Sequence, residues 1–190
     1  MKNFVTSDFH LNHANIIRYC NRPFKDVETM NNTIIHNFNE VIKEDDIVYH
    51  NGDYCFCNTS GGKKGEGEGV KASELIKKFN GNWTFLKGNH DRNNSLRSKL
   101  VSCVIDFGHQ PMFMTHRPQN ANPDYPINLV GHVHDAWKMK EVEINGKTTV
   151  LINVGVDVWN FRPVSLDKIV TSYNQFMREK ECLDQKTLLK

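Results

Sequence analysis

The sequence lacks the features that would place a protein outside the cytosol. Its first residues, Met1 to Asp8, do not form the apolar run of a signal peptide, and no stretch is long and apolar enough to span a bilayer. The five cysteines are an odd number without the spacing of a disulfide framework, which indicates reduced thiols. We therefore expect a cytoplasmic protein that makes no contact with a membrane.

A strong net charge and a phosphate-binding loop are also missing. The 24 Lys and Arg residues nearly balance 22 Asp and Glu residues, so no global charge favours nucleic acid or an anionic membrane, although a local basic patch would not show in these counts. The glycine-rich segment 59–69 has no apolar anchor and lacks the spacing of a P-loop. We predict that it is a mobile surface loop.

Short strand-like and helix-like segments alternate along the chain. The helix predicted over residues 27–42 has four apolar residues on one face, namely Met30, Ile34, Phe38 and Val41. A further helix is predicted over residues 70–79. Residues 165–190 are predicted as a C-terminal helix and tail, with the helix over residues 166–180. Asn145-Gly146 between two apolar runs is a two-residue hairpin signal. Because no internal repeat or domain boundary is evident, we predict one α/β domain with mixed sheets over residues 1–190.

Residue types that bind metals follow the predicted strands. In α/β folds, ligand sites lie beyond the carboxyl ends of strands, so segments far apart in sequence can converge at one edge. Any one of the motifs is more often a turn or a surface pair, but all of them together at strand ends are not a coincidence. They are Asp8-Phe9-His10, Gly52-Asp53, Gly88-Asn89-His90-Asp91, Thr115-His116 and Gly131-His132-Val133-His134.

The spacing and the donor types predict a site for two divalent ions. Residues i and i+2 of a continuing strand point to the same face, so Asp8 with His10, and His132 with His134, can grip one ion or two neighbouring ions. Carboxylate, imidazole and amide oxygen donors suit Mn²⁺, Fe²⁺, Co²⁺, Ni²⁺ or Zn²⁺. Seven ligand-type residues are too many for one catalytic zinc ion with an open position.

The order of these motifs, from Asp8 to His134, resembles that of the calcineurin-like metallophosphoesterases. The resemblance implies a four-layer α/β/β/α sandwich of two mixed sheets flanked by helices. It implies two divalent transition-metal ions, for which we predict Mn²⁺ first and Fe, Ni, Co or Zn as alternatives. Its first metal would be bound by Asp8, His10, Asp53 and His134. Its second metal would be bound by Asp53, Asn89, His116 and His132, with Asp53 bridging the two.

The resemblance also implies a reaction. It places His90 next to the leaving group, with Asp91 orienting it, and it implies attack on phosphorus by water activated between two ions. We expect hydrolysis of phosphodiesters. The alternatives are a phosphomonoesterase or protein phosphatase of the same fold, and a non-catalytic scaffold. Because a decayed scaffold would be expected to lose ligands and this chain retains them all, the enzyme is favoured.

Substrate contacts are predicted from residues near the ligand motifs. By the resemblance, Asn12 matches a position near the phosphate, although its neighbours depart from the common His-Gly-Asn form. His13 and Arg117 lie beside ligand motifs and are further candidates. Arg18 and Arg22 are either phosphate contacts or solvated helix charges. The expected substrate is a small phosphate ester or a nucleotide, and nucleic acid remains open.

Overall fold

Nine strands in the described part of the chain form two sheets. The structure is a computed structural model that describes residues 1–56, 70–91, 96, 98–108 and 110–188, with side chains as far as residue 182. The glycine-rich segment predicted to be mobile lies outside the described residues. The helices are α1 (Ala14–Tyr19), α2 (Val27–Asn39), α3 (Ala72–Leu75) and α4 (Leu166–Leu188). The strands are β1 (Asn3–Thr6), β2 (Ile47–His50), β3 (Asn82–Phe85), β4 (Ser102–Phe107), β5 (Gln110–Thr115), β6 (Ile127–Val130), β7 (Met139–Ile144), β8 (Lys147–Asn153) and β9 (Val164–Ser165).

Both sheets are mixed, which confirms the predicted α/β class. The first sheet has the order β3-β2-β1-β9, and only β9 runs antiparallel to its neighbour. The second sheet has the order β4-β5-β6-β8-β7, with parallel strands β5, β6 and β8 between antiparallel outer strands. The hairpin predicted at Asn145-Gly146 joins β7 to β8, and both residues have the positive φ angles, 53° and 75°, of a type I′ turn.

Two hydrophobic cores lie on opposite faces of the first sheet. Phe4 and Val5 of β1 point to different faces, as successive residues of a strand do. Phe4 packs in the core formed with α1, α2 and α3, whereas Val5 packs in the core shared with the second sheet and with Ile169 of α4. The first sheet is therefore buried on both sides, which holds the ends of its parallel strands in fixed positions.

Helix α2 begins at a capping residue and ends before its predicted end. The Asp26 side chain accepts a hydrogen bond of 2.7 Å from the backbone N of Thr29, which caps the helix. The predicted inward residues of the helix are buried as far as Phe38. The prediction for Val41 was wrong. The helix ends at Asn39, so helical spacing does not extend to Val41, which is exposed, whereas Ile42 is buried.

Three other elements differ from the sequence prediction. The helix predicted over residues 70–79 is divided into α3 and a 3-10 turn, Ile76–Lys78. The short strand β9 was not predicted, and the C-terminal helix continues as far as Leu188. No described helix combines the length and the apolar character needed to cross a membrane.

Asn51, directly after β2, links the two sheets. Its buried Nδ2 donates to the carbonyl oxygens of Thr115 at 2.8 Å and Leu129 at 3.2 Å, in β5 and β6 of the second sheet. Its own carbonyl oxygen accepts a bond of 3.0 Å from Ser7 Oγ, at the end of β1. One residue thus fixes the relative position of strands in both sheets.

We expect Asn51→Asp to lower the free energy of unfolding by about 2–4 kcal/mol, because a carboxylate oxygen in place of Nδ2 would face two carbonyl oxygens with no proton between them. The matched control is Asn82→Asp, since Asn82 Nδ2 donates to the Glu44 carbonyl oxygen at an exposed position. Its cost should be about 1 kcal/mol or less. Urea unfolding measures both, and equal costs would contradict the linking role.

Candidate metal centre and active site

Six loops meet at the edge where the parallel strands of both sheets end. They follow β1, β2 and β3 in the first sheet and β5, β6 and β8 in the second. Ser7, after β1, and Gly155, after β8, form a parallel bridge that joins the two sheets at this edge. The structure therefore brings together all the motifs that the sequence placed at strand ends.

The ligand-type residues have unusual backbone conformations. Asp8, His10, Asp53, His132 and His134 all have φ between 47° and 72°. This left-handed region costs a non-glycine residue roughly 1–3 kcal/mol and is concentrated at functional sites. The sequence prediction assumed that residues i and i+2 of these motifs continue a strand and so point to the same face. Because β1 and β6 end before the motifs begin, strand geometry does not set the directions of these side chains.

The first ligand group consists of Asp8, His10 and His134. One ligand atom of each lies within 4.8 Å of the others. Asp8 and His10 are buried, with 0% and 1% exposure. Within the described part of the chain, His10 Nε2 has no hydrogen-bond partner. Because buried polar atoms are normally satisfied, this nitrogen is available as a metal ligand.

The second ligand group consists of Asp53, His116 and His132, whose ligand atoms also lie within 4.8 Å of one another. The side-chain oxygen of Asn89 lies 3.1 Å from His116 Nε2, so it belongs beside this group. Asp53 Oδ2 lies 3.2 Å from His116 Nε2 and 3.5 Å from His10 Nε2. Asp53 thus stands between the two groups, in the position expected of a bridging ligand.

The donors fit two divalent ions. Each group combines carboxylate oxygen with imidazole nitrogen, the mixture that borderline first-row ions prefer. The assignment of the seven ligands to two ions remains a prediction, and the structure supports it by the proximity of the side chains.

Charges within the two groups are coupled. Burial on its own lowers the pKa of His116, but the hydrogen bond with Asp53 and the nearby carboxylates outweigh it and raise that pKa to about 9. Burial also opposes protonation of His134, yet its hydrogen bond with Asp157 contributes to raising the pKa to about 10. Burial raises the pKa of Asp53, but His116 and other neighbours bring it below its ordinary value. The buried carboxylates therefore attract positive charge, which metal ions can supply in place of protons.

Glycines leave room for the two carboxylates. A Cβ atom at Gly88 would overlap Asp53 Oδ1, and one at Gly131 would overlap the Asp8 carboxylate. The strands can bring their ends this close only because these positions have no side chain. The glycines of the Gly-Asn-His-Asp and Gly-His-x-His motifs are thus steric requirements of the site.

Asp91 and His90 lie beside Asp53 in different roles. The Asp91 carboxylate accepts hydrogen bonds from the backbone N of Asp53 at 2.7 Å, Tyr54 at 3.1 Å and Gly88 at 2.8 Å. Asp91 therefore fixes the loop that carries Asp53, and its predicted role in orienting His90 remains a prediction. His90 is exposed, and its backbone N donates to Asp53 Oδ1 at 2.8 Å.

The predicted substrate contacts are spread around the centre. Asn12 is buried and paired with Asn31: Asn31 Nδ2 donates to Asn12 Oδ1 at 2.7 Å. The His13 ring stacks on Phe56 with centroids 3.9 Å apart, and His13 Nδ1 lies 3.1 Å from His10 Nδ1. Arg117 is exposed on the edge of a cavity.

Arg18 and Arg22, which the sequence did not distinguish, differ in their exposure to solvent. Arg18 is exposed, whereas Arg22 is buried and forms an ion pair with Asp157. Asp157 Oδ2 in turn lies 3.1 Å from His134 Nδ1. Asp157 was not predicted from the sequence as a neighbour of a metal ligand. The only available signal was its position just after the end of β8, the same kind of position as the ligands.

The chain belongs to the calcineurin-like phosphoesterase family, whose model matches residues 1–180. Membership implies metal-dependent hydrolysis of phosphate esters. The chain is 38% identical over 173 residues to the uncharacterized protein MJ1445 of Methanocaldococcus jannaschii, covering 89% of each chain.

Among solved structures, a protein of unknown function from Aquifex aeolicus, AQ665, is similar with a TM-score of 0.65 and 22% identity over 90% of this chain and 98% of that chain. At this identity the likeness shows the fold alone. An archaeal phosphodiesterase has a TM-score of 0.39 and 16% identity over 87% of this chain and 100% of that chain, which is too distant to carry an argument.

We expect Gly88→Ala to weaken metal binding in both ligand groups, because the added methyl group must displace the shared residue Asp53. The matched control is Gly146→Ala in the hairpin turn, where a Cβ atom meets nothing within 4 Å. The control costs only the strain of a positive φ, roughly 1–2 kcal/mol. Metal content per chain after Mn²⁺ loading and desalting is the measurement. Full metal content in Gly88→Ala would refute this view of the glycine.

Proposed function

We propose that this chain is a phosphodiesterase that uses two divalent transition-metal ions, with Mn²⁺ the first candidate. The observation that carries the proposal is the pair of adjoining ligand groups with Asp53 between them, next to the exposed imidazole of His90. Bound ions would supply Lewis-acid charge for the phosphoryl oxygens and a water molecule of lowered pKa. A cytoplasmic location is part of the proposal.

His90 is placed to act on the leaving group. Its ring lies 5.1 Å from the ring of His10, centroid to centroid, so it borders the first ligand group. Its backbone bond to Asp53 ties its position to the residue shared by both groups. A protonated imidazole here can give its proton to the departing alkoxide, which is the difficult part of hydrolysing an unactivated ester.

Asn12 supports binding of the phosphoryl group. Asn31 occupies its side-chain oxygen, whereas its buried Nδ2 has no hydrogen-bond partner among the described residues. A buried donor without a partner is costly, so it is a good candidate to meet a phosphoryl oxygen. The pair with Asn31 also fixes which end of the amide serves as the donor.

Two cavities favour a diester over a monoester. One, of about 430 Å³, is lined by the second-group ligand His116 and by the cations of Lys87 and Arg117. The other, of about 440 Å³, borders His132 and is mainly apolar, with Trp137 in its wall. Both cavities border the second ligand group and neither is lined by His90, so they are candidate places for the substituent that stays on phosphorus when the leaving group departs. A diester has such a substituent and a monoester does not. A nucleotide, with a charged part and an aromatic base, matches this contrast, and nucleic acid remains open.

We expect His90→Ala to cost little with p-nitrophenyl diesters and on the order of 10²–10⁴ in rate with alkyl or nucleotide diesters, because only a poor leaving group needs a proton. The measurement is the slope of log rate against leaving-group pKa in the presence of Mn²⁺, for wild type and variant. The slope should be steeper for the variant.

The matched control is His36→Ala, which removes an exposed imidazole of α2 that pairs with Glu40. It should leave both the rates and the slope unchanged. Parallel lines for wild type and His90→Ala would contradict the acid role and indicate charge stabilisation instead. Absence of hydrolysis by wild type with any metal would contradict the proposed activity itself.

A further inference from the structure

Arg22 is a buried arginine whose place in the fold is set by the end of α1. Asn21 adopts a left-handed conformation with φ of 47°, and the backbone N of Arg22 donates to the Ile17 carbonyl oxygen at 2.8 Å. Such a residue commonly ends a helix and reverses the chain. The reversal directs the Arg22 side chain inward, where its exposed fraction is 0%.

All five N–H groups of Arg22 have acceptors. Nε and Nη2 form a fork on Asp157, at 2.8 Å to Oδ1 and 2.9 Å to Oδ2. Nη2 also donates to the Asp8 carbonyl oxygen at 2.7 Å, and Nη1 donates to the Phe9 carbonyl oxygen at 2.8 Å and contacts Met30 Sδ at 3.4 Å. A side chain bonded in every direction cannot turn toward a substrate, so Arg22 is not a phosphate contact.

These bonds reach two members of the first ligand group. Through its backbone carbonyl, Asp8 is held in the left-handed conformation that directs its carboxylate toward the other ligands. Through Asp157, whose Oδ2 lies 3.1 Å from His134 Nδ1, the imidazole of His134 is held as well. A proton on Nδ1 that is donated to Asp157 leaves the lone pair of Nε2 for a metal ion.

Asp157 depends on Arg22 in turn. Its side chain is 3% exposed, and both its oxygens are occupied by Arg22, one of them also by His134. Asp157 and His134 form a three-member cluster with Cys20 whose spacing would suit an ion, but the guanidinium already supplies the positive charge there. Asp157 therefore serves as a hydrogen-bond acceptor for His134 rather than as a ligand.

We infer that Arg22 and Asp157 are positioning residues that hold Asp8 and His134 ready for an ion at the first ligand group, without serving the second group. The inference rests on the proposed two-ion centre. The second group is carried by the loops after β2, β5 and β6, and none of the five side-chain contacts of Arg22 described above reaches Asp53, His116 or His132. Loss of Arg22 should therefore weaken binding of the ion at the first ligand group and leave binding at the second group unchanged.

The experiment is a Mn²⁺ titration by calorimetry, with no substrate present, on wild type, Arg22→Met, Asp157→Ala and Asp157→Asn. For Arg22→Met and Asp157→Ala we expect one ion to bind about 10–100-fold more weakly, the usual effect of losing a partner of a metal ligand, while the other ion is unchanged. Asp157→Asn should retain more affinity than Asp157→Ala, because the amide oxygen can still accept a bond from His134 Nδ1.

The matched control is Arg162→Met, which removes an arginine that pairs with Glu40 at 2.9 Å where both side chains are about half exposed. This variant should bind both ions with the affinities of the wild type. If Arg22→Met does not fold, the two Asp157 variants decide the matter, because neither change removes the partners of Arg22 at the carbonyl oxygens of Asp8 and Phe9. Weaker binding of one ion by Asp157→Ala than by Asp157→Asn supports the inference, and equal binding by both overturns it. Unchanged binding of both ions, or equal weakening of both together with a lower melting temperature, would overturn the inference.

The wild-type titration separates this inference from the proposed function. If wild type binds two ions and the variants keep both at full affinity, only the positioning role fails. If wild type binds a single ion, the two-ion proposal fails. The positioning role then survives if Arg22→Met weakens that ion and fails if it does not.

Discussion

Two carboxylates are buried where the two sheets meet, and the groups around them compensate part of their charge. Asp8 and Asp53 are 0% and 1% exposed. A buried charge is stable only when hydrogen bonds and opposite charges surround it. The backbone N of His132 lies 3.1 Å and 3.0 Å from the two Asp8 oxygens, and the backbone N of His90 donates to Asp53. His116 and His134, whose pKa values are raised to about 9 and about 10, add positive charge. Burial still raises the pKa of Asp8 above its ordinary value against the effect of these two histidines, so part of its charge is left for a metal ion to compensate.

The backbone of the metal centre is locally strained. Its ligands occupy left-handed conformations, and its glycines permit contacts that any side chain would block. Strain of this kind persists only where the surroundings hold it. Here the cores on both faces of the first sheet, the sheet link through Asn51 and the buried guanidinium of Arg22 provide that support. Stability made elsewhere in the fold thus maintains the geometry that the proposed chemistry needs.

The sequence predicted the α/β class and the convergence of the ligand motifs because both depend on local patterns. Strand ends, glycines and metal-binding side chains can be read within a few neighbouring residues. The contact between Arg22 and Asp157 joins residues 135 positions apart, and a single sequence contains no local sign of it. The prediction for Val41 failed for a related reason, because α2 ends at Asn39 and the apolar period alone does not mark that end.

The central claim is that two adjoining ligand groups, with Asp53 between them, hold two ions. The most direct measurement is anomalous scattering from a crystal of the protein loaded with Mn²⁺. The account predicts two peaks, one among Asp8, His10 and His134 and one among Asp53, His116 and His132, with the Asp53 carboxylate reaching both. A single peak, or a second peak away from Asp53, would contradict it.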